Sequence, residues 1–189
     1  MANIMNLFTH KTKKKESNSL TTVEITKFTM LGTLMFCSKI IMEWIPNIHL
    51  LGMLTMVYTL AYRKKGLIPI YVFVMLTGLY AGFSPWWVPY LYIWTSLWAI
   101  TMLLPQKIPV KVAAIVYPVI CALHGFLFGT LYAPGQAIMF GLNFQQMIAW
   151  IVSGLPWDIL QGIGNFFAGF LIIPLLKLIR RFENGNIHS

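Results

Sequence analysis

PWDILQGIGNFFAGFLIIPLLKLI, residues 156–179, decides how the whole chain is read. Its second half is oily enough for lipid. Its first half sets Asp158, Gln161 and Asn165 at steps of three and four, a spacing that places them on one face of an α-helix. About 20 mostly apolar residues cross the hydrocarbon core of a bilayer. Polar groups at that depth are costly, so this stripe must face protein, water or a ligand.

The rest of the chain agrees with a membrane setting. Of 189 residues, 58% are hydrophobic and 10% charged, with a mean hydropathy of +0.70. That composition cannot cover the surface of a soluble domain. An all-α integral membrane protein in one domain is expected, with no separate soluble enzyme. Six spans can be traced: helix 1 over 22–44, helix 2 over 48–62, helix 3 over 67–83, helix 4 over 87–104, helix 5 over 109–132 and helix 6 over 156–181. Thr21 and Glu24 fit a capping box at the start of helix 1, and Pro118 is the expected kink of helix 5. The apolar part of 140–155 is too short to span, so it is read as a short interfacial helix between helices 5 and 6. The domain plan is a flexible basic tail at 1–20, a six-helix domain at 21–182 and a tail at 183–189. The N-terminal run lacks the apolar core of a signal peptide. Cys37 and Cys121 both fall in apolar segments, and two lone cysteines suggest neither a disulfide nor a metal site.

Charge placement sets the expected topology. Lys11, Lys13, Lys14, Lys15, Lys27, Arg63, Lys64, Lys65, Lys107, Lys111, Lys177, Arg180 and Arg181 are 13 of the 14 basic residues. All fall on one side of the six-span threading, which the positive-inside rule assigns to the cytoplasm, together with both termini. The net charge of +9 is then a matter of topology and calls for no nucleic acid.

Lys39 is the remaining basic residue, deep in helix 1, with Glu43 one turn on. The pair reads either as an intrahelical ion pair or as a polar wall of an outward cavity. Asp158, near the expected start of helix 6, suits the helix dipole. Gln161 and Asn165 lie deeper and need partners, from a polar cavity or from interhelical bonds. Asn47, His49, Asn143, Gln145 and Gln146 fall at the same outer end, with Trp44, Trp86, Trp87, Tyr90, Trp150 and Trp157. An interfacial belt explains such tryptophans by default; here the inner face is expected to have none, and an aromatic, amide-rich surface also suits a ring-containing organic ligand. Glu43, Asn47, His49, Trp87, Tyr90, Asn143, Gln146, Trp150, Asp158, Gln161 and Asn165 are the candidate ligand residues. His124, deeper in helix 5, reads first as a hydrogen-bonded core histidine.

Rows of small residues mark close packing: Gly125, Gly129 and Ala133; Gly164 and Ala168; Thr29, Thr33 and Cys37. One of these rows is free to meet a partner protein. The chain has no phosphate loop, HExxH, GxSxG or Cys/His cluster, so neither enzymatic activity nor a cofactor is expected. It also lacks the repeated halves of large secondary transporters.

AWIVSGLPWDILQGIGNFFAGFLIIPLL, 149–176, carries Gly154, Pro156, Trp157 and Asp158 into helix 6, with Asn165 seven residues after Asp158. With LLGMLTMVYTLAYRKKGLIPIYVFV, 50–74, and the six-helix plan, this resembles the substrate-binding S component of energy-coupling-factor (ECF) transporters. The likeness covers nearly the whole chain. It implies a prokaryotic cell-membrane protein that captures a vitamin or similar micronutrient at the outer face. Such a protein works with a membrane coupling protein and two cytoplasmic ATPase subunits, where ATP hydrolysis takes place. It also implies docking through small residues of helix 1, often an Ala-xxx-Ala pair; here Thr33 and Cys37 stand at those positions, with Thr29 one turn before. The competing expectation is a non-transport membrane scaffold or assembly protein, in which the polar stripe meets other helices.

Overall fold

The computed structural model describes residues 20–45 and 47–185. The basic run of the N-terminal tail and the last four residues lie outside them. Among the described residues the chain is all-helical: α1 Thr22–Ile41, α2 Leu51–Tyr62, α3 Leu67–Ala81, α4 Tyr90–Leu103, α5 Val110–Phe126, α6 Phe128–Phe140, α7 Phe144–Gly169 and α8 Ile172–Gly185, with short 3₁₀ turns at Arg63–Gly66 and Pro85–Trp87. Leu51–Ala81 and Val110–Phe140 are each long and apolar enough to cross a membrane. Phe144–Gly169 and Ile172–Asn184, bent by 48° at their junction, make a third span if the pair counts as one. The outer surface, with Leu79, Ile115, Ile138, Phe144 and Phe167 exposed, suits hydrocarbon rather than water.

α1 begins where its sequence signals it. The Thr21 hydroxyl accepts from Glu24 N at 3.2 Å, and the Glu24 carboxylate accepts from Thr21 N at 3.1 Å, so two orphan helix donors are satisfied reciprocally. α2 is the core element, buried at every residue from Leu51 to Thr59. It packs against α4, α5, α7 and α8, while α1 lies along α3. The helical run from α2 into α3 doubles back at Arg63, which has φ 53°. A methyl group at Gly66 would sit 2.7 Å from the Tyr58 carbonyl oxygen, so only glycine permits this return.

The expected interfacial helix at 140–155 does not form as a separate element. α7 runs unbroken from Phe144 through Pro156 to Gly169. The Asn143 side chain accepts from Gln146 N and the Gln146 side chain from Asn143 N, both at 2.9 Å. This second capping box starts the helix thirteen residues before Pro156. A proline removes one backbone donor from a helix, and in a membrane helix neighbouring groups compensate. The stop comes instead beyond Gly169, where Pro174 in the first turn of α8 cannot donate back across the junction. Helix 5 departs in the same way. It continues through Pro118, breaks at Leu127 and resumes as α6 to Phe140.

One end of the bundle gathers charge. Lys27 Nζ lies 2.7 Å from Glu183 Oε1, and Lys65 Nζ lies 2.6 Å from Glu24 Oε1. The Arg63 guanidinium donates to the Met102 carbonyl at 2.8 Å. The start of α1, the Arg63–Gly66 turn and the ends of α4 and α8 therefore meet. Trp98 is also at this end, donating to the Arg63 carbonyl at 3.2 Å, which corrects the expectation that the basic end holds no tryptophan. At the opposite end, the Tyr132 hydroxyl donates to the Trp86 carbonyl at 2.6 Å.

Candidate functional site

α5 and α7 pack most closely where both lack side chains. A methyl group at Gly125 would fall 2.8 Å from Gly162 Cα, and one at Gly169 would fall 2.5 Å from Pro118 Cα. Gly162 in turn meets the Phe126 ring, and Gly164 meets Ile48. The small residues Gly125 and Gly129 are legible in sequence; Gly125 meets Gly162 and Gly129 meets Asp158, within the polar stripe itself, while Gly169 meets Pro118.

That stripe points inward. Asp158, Gln161 and Asn165 are all buried, at 5%, 3% and 1% exposure. Asp158 is not at the start of its own helix. Both of its oxygens accept from Gly129 N at 3.0 Å. Gly129 lies in the first turn of α6, just beyond the break at Leu127, where an N–H has no intrahelical acceptor. Asp158 thus acts as a capping group supplied by a neighbouring helix. Asn165 Nδ2 donates to the Cys121 carbonyl at 3.2 Å, which fixes the amide so that Oδ1 points elsewhere, and Oδ1 is buried without a partner. Gln161 Nε2 is buried and unpartnered as well.

These unmet groups have neighbours of the same kind. Trp94 Nε1, His124 Nδ1, His49 Nδ1 and Thr55 Oγ1 are also buried without a hydrogen-bond partner. The Trp94 ring lies 5.9 Å from the His49 ring and 5.7 Å from the His124 ring, centroid to centroid. The Asn165 amide abuts Gly52 and Gly125, which bring the first turn of α2 and the residue next to His124 against α7. Buried polar atoms in native proteins are nearly always bonded, so these unmet groups, carried on or beside α2, α4, α5 and α7, mark this part of the bundle as the candidate binding site.

Aromatic rings frame it. Tyr90 and Trp94 lie one turn apart on α4, 5.9 Å between centroids. Phe128 follows at 5.8 Å from Trp94, Tyr132 at 6.1 Å from Phe128, and Trp150 stacks on Tyr132 at 5.7 Å with 15° between planes. The row leads from the buried cluster to the end of the bundle opposite the charges.

The predicted site residues divide into groups. His49, Tyr90, Trp150, Gln161 and Asn165 join this cluster or its aromatic row. Asp158 abuts it but is committed to Gly129. Asn143 and Gln146 are exposed and spend their side chains on the cap of α7. Trp87 donates to the Val74 carbonyl at 2.8 Å, fastening the 3₁₀ turn to α3. Glu43 and Asn47 are exposed, since α1 ends at Ile41 before Glu43 can stack on it. Lys39 and Glu43 form no ion pair. Thr29, Thr33 and Cys37 lie on an open face of α1; the two hydroxyls bond back to Ile25 O and Thr29 O at 2.9 Å, presenting methyl groups outward. Trp94, Phe128 and Tyr132 were missed. Their four-residue steps, 90–94 on α4 and 124–128–132 along α5 and α6, are the signal in sequence that marks them. Among the described residues no group of three His, Cys, Asp or Glu side chains is placed to hold a metal ion.

No protein-family model matches the chain, and comparison with curated proteins and with solved structures finds no match.

Proposed function

We propose that this protein is the substrate-capture subunit of an ECF-type importer, taking a small organic micronutrient from outside the cell and delivering it inward with partner-driven ATP hydrolysis. In this reading the chain crosses a prokaryotic cell membrane six times, with α5–α6 counting as one span and α7–α8 as one bent span. The charged end lies in the cytoplasm with both termini, following the positive-inside rule. The membrane coupling protein meets the open face of α1 around Thr29, Thr33 and Cys37, and two ATPase subunits act from the cytoplasm. The observation that carries the reading is the group of buried, unpartnered polar atoms on Trp94, His124, Gln161 and Asn165, framed by aromatic rings. A ligand pocket combines apolar walls with a few convergent polar groups in this way. Unfolding the purified protein and identifying any released small molecule by mass spectrometry tests it. A stoichiometric organic ligand supports capture, and an empty protein after growth in vitamin-rich medium opposes it.

A second reading, a membrane scaffold, draws on the bonds that Asp158 and Asn165 make to α6 and α5. Those bonds are what amides and acids supply when they hold membrane helices together. The same release experiment separates the two, since a scaffold retains nothing.

A further inference from the structure

The charged end of the bundle carries more positive charge than it neutralises. Its two acids among the described residues are both spent, Glu183 on Lys27 and Glu24 on Lys65. Lys64, Lys107, Lys111, Lys177 and Arg181 are exposed, and none forms an ion pair among the described residues. α8 holds two of these cations. Its inner face, with Ile172, Leu176 and Ile179, packs against the core, and Glu183 continues that face to reach Lys27. Lys177 and Arg181 lie one turn apart on the outward side. Like charges at that spacing repel along a helix, and an anion between them relieves the repulsion. Leu178 and Phe182 stand beside them, also one turn apart, and Leu171 continues their row two turns back. These three are exposed at 46%, 67% and 47%. The outward side of α8 is thus a basic stripe next to an apolar one.

We infer that this face of α8 binds an anionic phospholipid, with the headgroup phosphate between Lys177 and Arg181 and an acyl chain running from Leu178 toward Leu171. Charge complementarity selects an anion, and the neighbouring apolar stripe selects a lipid. A nucleic acid or an acidic protein surface meets the two cations but leaves Leu178 and Phe182 without an apolar partner. A zwitterionic lipid meets the apolar stripe but brings its own cation against Lys177 and Arg181. A basic stripe beside Leu and Phe is also the pattern by which helices settle at the boundary between headgroups and acyl chains. Anionic lipids are the counter-charges that a membrane offers to basic groups at its cytoplasmic surface, where the proposed topology puts this end. The inference rests on the membrane setting alone and is independent of whether the protein captures a substrate.

The test is native mass spectrometry of the full-length protein in mild detergent, with equal amounts of dioleoyl-phosphatidylglycerol and dioleoyl-phosphatidylcholine added. The parent should retain phosphatidylglycerol about tenfold or more in excess of phosphatidylcholine. Each cation beside an anionic headgroup strengthens attachment by roughly fivefold. The double variant Lys177→Gln, Arg181→Gln should therefore lose about tenfold or more of its phosphatidylglycerol binding. Lys64→Gln with Lys107→Gln removes the same charge elsewhere at this end and should lose no more than about threefold. The melting temperature of each variant in lipid-free detergent shows that folding is matched. Equal retention of the two lipids by the parent would overturn the lipid and leave the face to an acidic protein surface. Equal losses in the two double variants would overturn the placement on α8, since the preference would then follow net charge.

Discussion

Gly125→Ala and Gly154→Ala are the same chemical change in two long helices, and the structure gives them opposite signs. At Gly125 the new methyl group would lie 2.8 Å from both Gly162 Cα and Asn165 Nδ2, and 2.9 Å from the Gln161 carbonyl oxygen. Two of these are backbone atoms of α7, which cannot rotate away as a side-chain tip can. Ordinary contact needs about 3.6 Å, so α5 and α7 must part locally by about 0.8 Å. Overpacking of this kind costs ~1–3 kcal/mol. The gain from replacing a helical glycine with alanine offsets at most about 1 kcal/mol of that. With that full offset, Gly125→Ala should be destabilising by up to about 2 kcal/mol. At Gly154 nothing lies within 4 Å of the added carbon, so the helix-propensity gain stands alone, up to about 1 kcal/mol stabilising. For a chain of this length, 1 kcal/mol is worth roughly 2–4 °C in melting temperature. Thermal unfolding of both variants in one detergent should show Gly125→Ala several degrees below the parent and Gly154→Ala level with it or above. Equal shifts in the two variants would refute the close approach of α5 and α7.

The remaining predictions concern the polar residues and the topology. Asp158→Leu strands the buried Gly129 N–H and should cost ~1–3 kcal/mol, with faster amide exchange in the first turn of α6; Asp158→Asn keeps an acceptor and should lose less. Asn143→Ala removes a helix cap and should cost about 1 kcal/mol, seen as faster exchange at the start of α7, with ligand retention unchanged. In a Cys37→Ser, Cys121→Ser background, Gln106→Cys should be labelled by an impermeant thiol reagent only from the cytoplasmic side and Gln145→Cys only from outside. Labelling of both from one side would refute the six-span arrangement.

Much of this fold can be read from local signals. The Thr21–Glu24 capping box and the oily, basic-flanked spans place α1, α2, α3 and α4 to within a few residues, because caps and charge runs act locally. The second half of the chain yields less. Pro156 looks like a helix start in sequence, yet the Asn143–Gln146 box outweighs it and makes one long helix. Whether a proline begins, bends or merely occupies a membrane helix depends on partners elsewhere in the chain, here α5 lying against α7. The polar stripe of residues 158, 161 and 165 is plain in sequence, and so is the need for something to face it. What it faces is not plain. Asp158 finds a backbone N–H exposed by the break at Leu127, and no local pattern announces that break. Asn143, Gln146 and Trp87 were expected at the ligand because of their depth and type. Their side chains instead satisfy nearby backbone groups, a use that polar residues at helix starts share with polar residues in pockets. Trp94 goes unmarked in sequence, and His124 reads first as a hydrogen-bonded core histidine, because an aromatic residue at helical spacing most often packs a core. Only the absence of a partner for Trp94 Nε1 and His124 Nδ1 sets them apart.

The most direct test of the account is the molar ratio of small molecule released on unfolding, measured by mass spectrometry for the parent protein and for Asn165→Leu. Leucine removes the free acceptor, and with it the donor to the Cys121 carbonyl, while keeping the same number of side-chain heavy atoms. The account predicts close to one organic molecule per parent chain and a large loss from Asn165→Leu at matched folding, judged by its melting temperature. Equal retention in the two proteins would contradict the site, and no retained molecule in the parent would contradict capture itself.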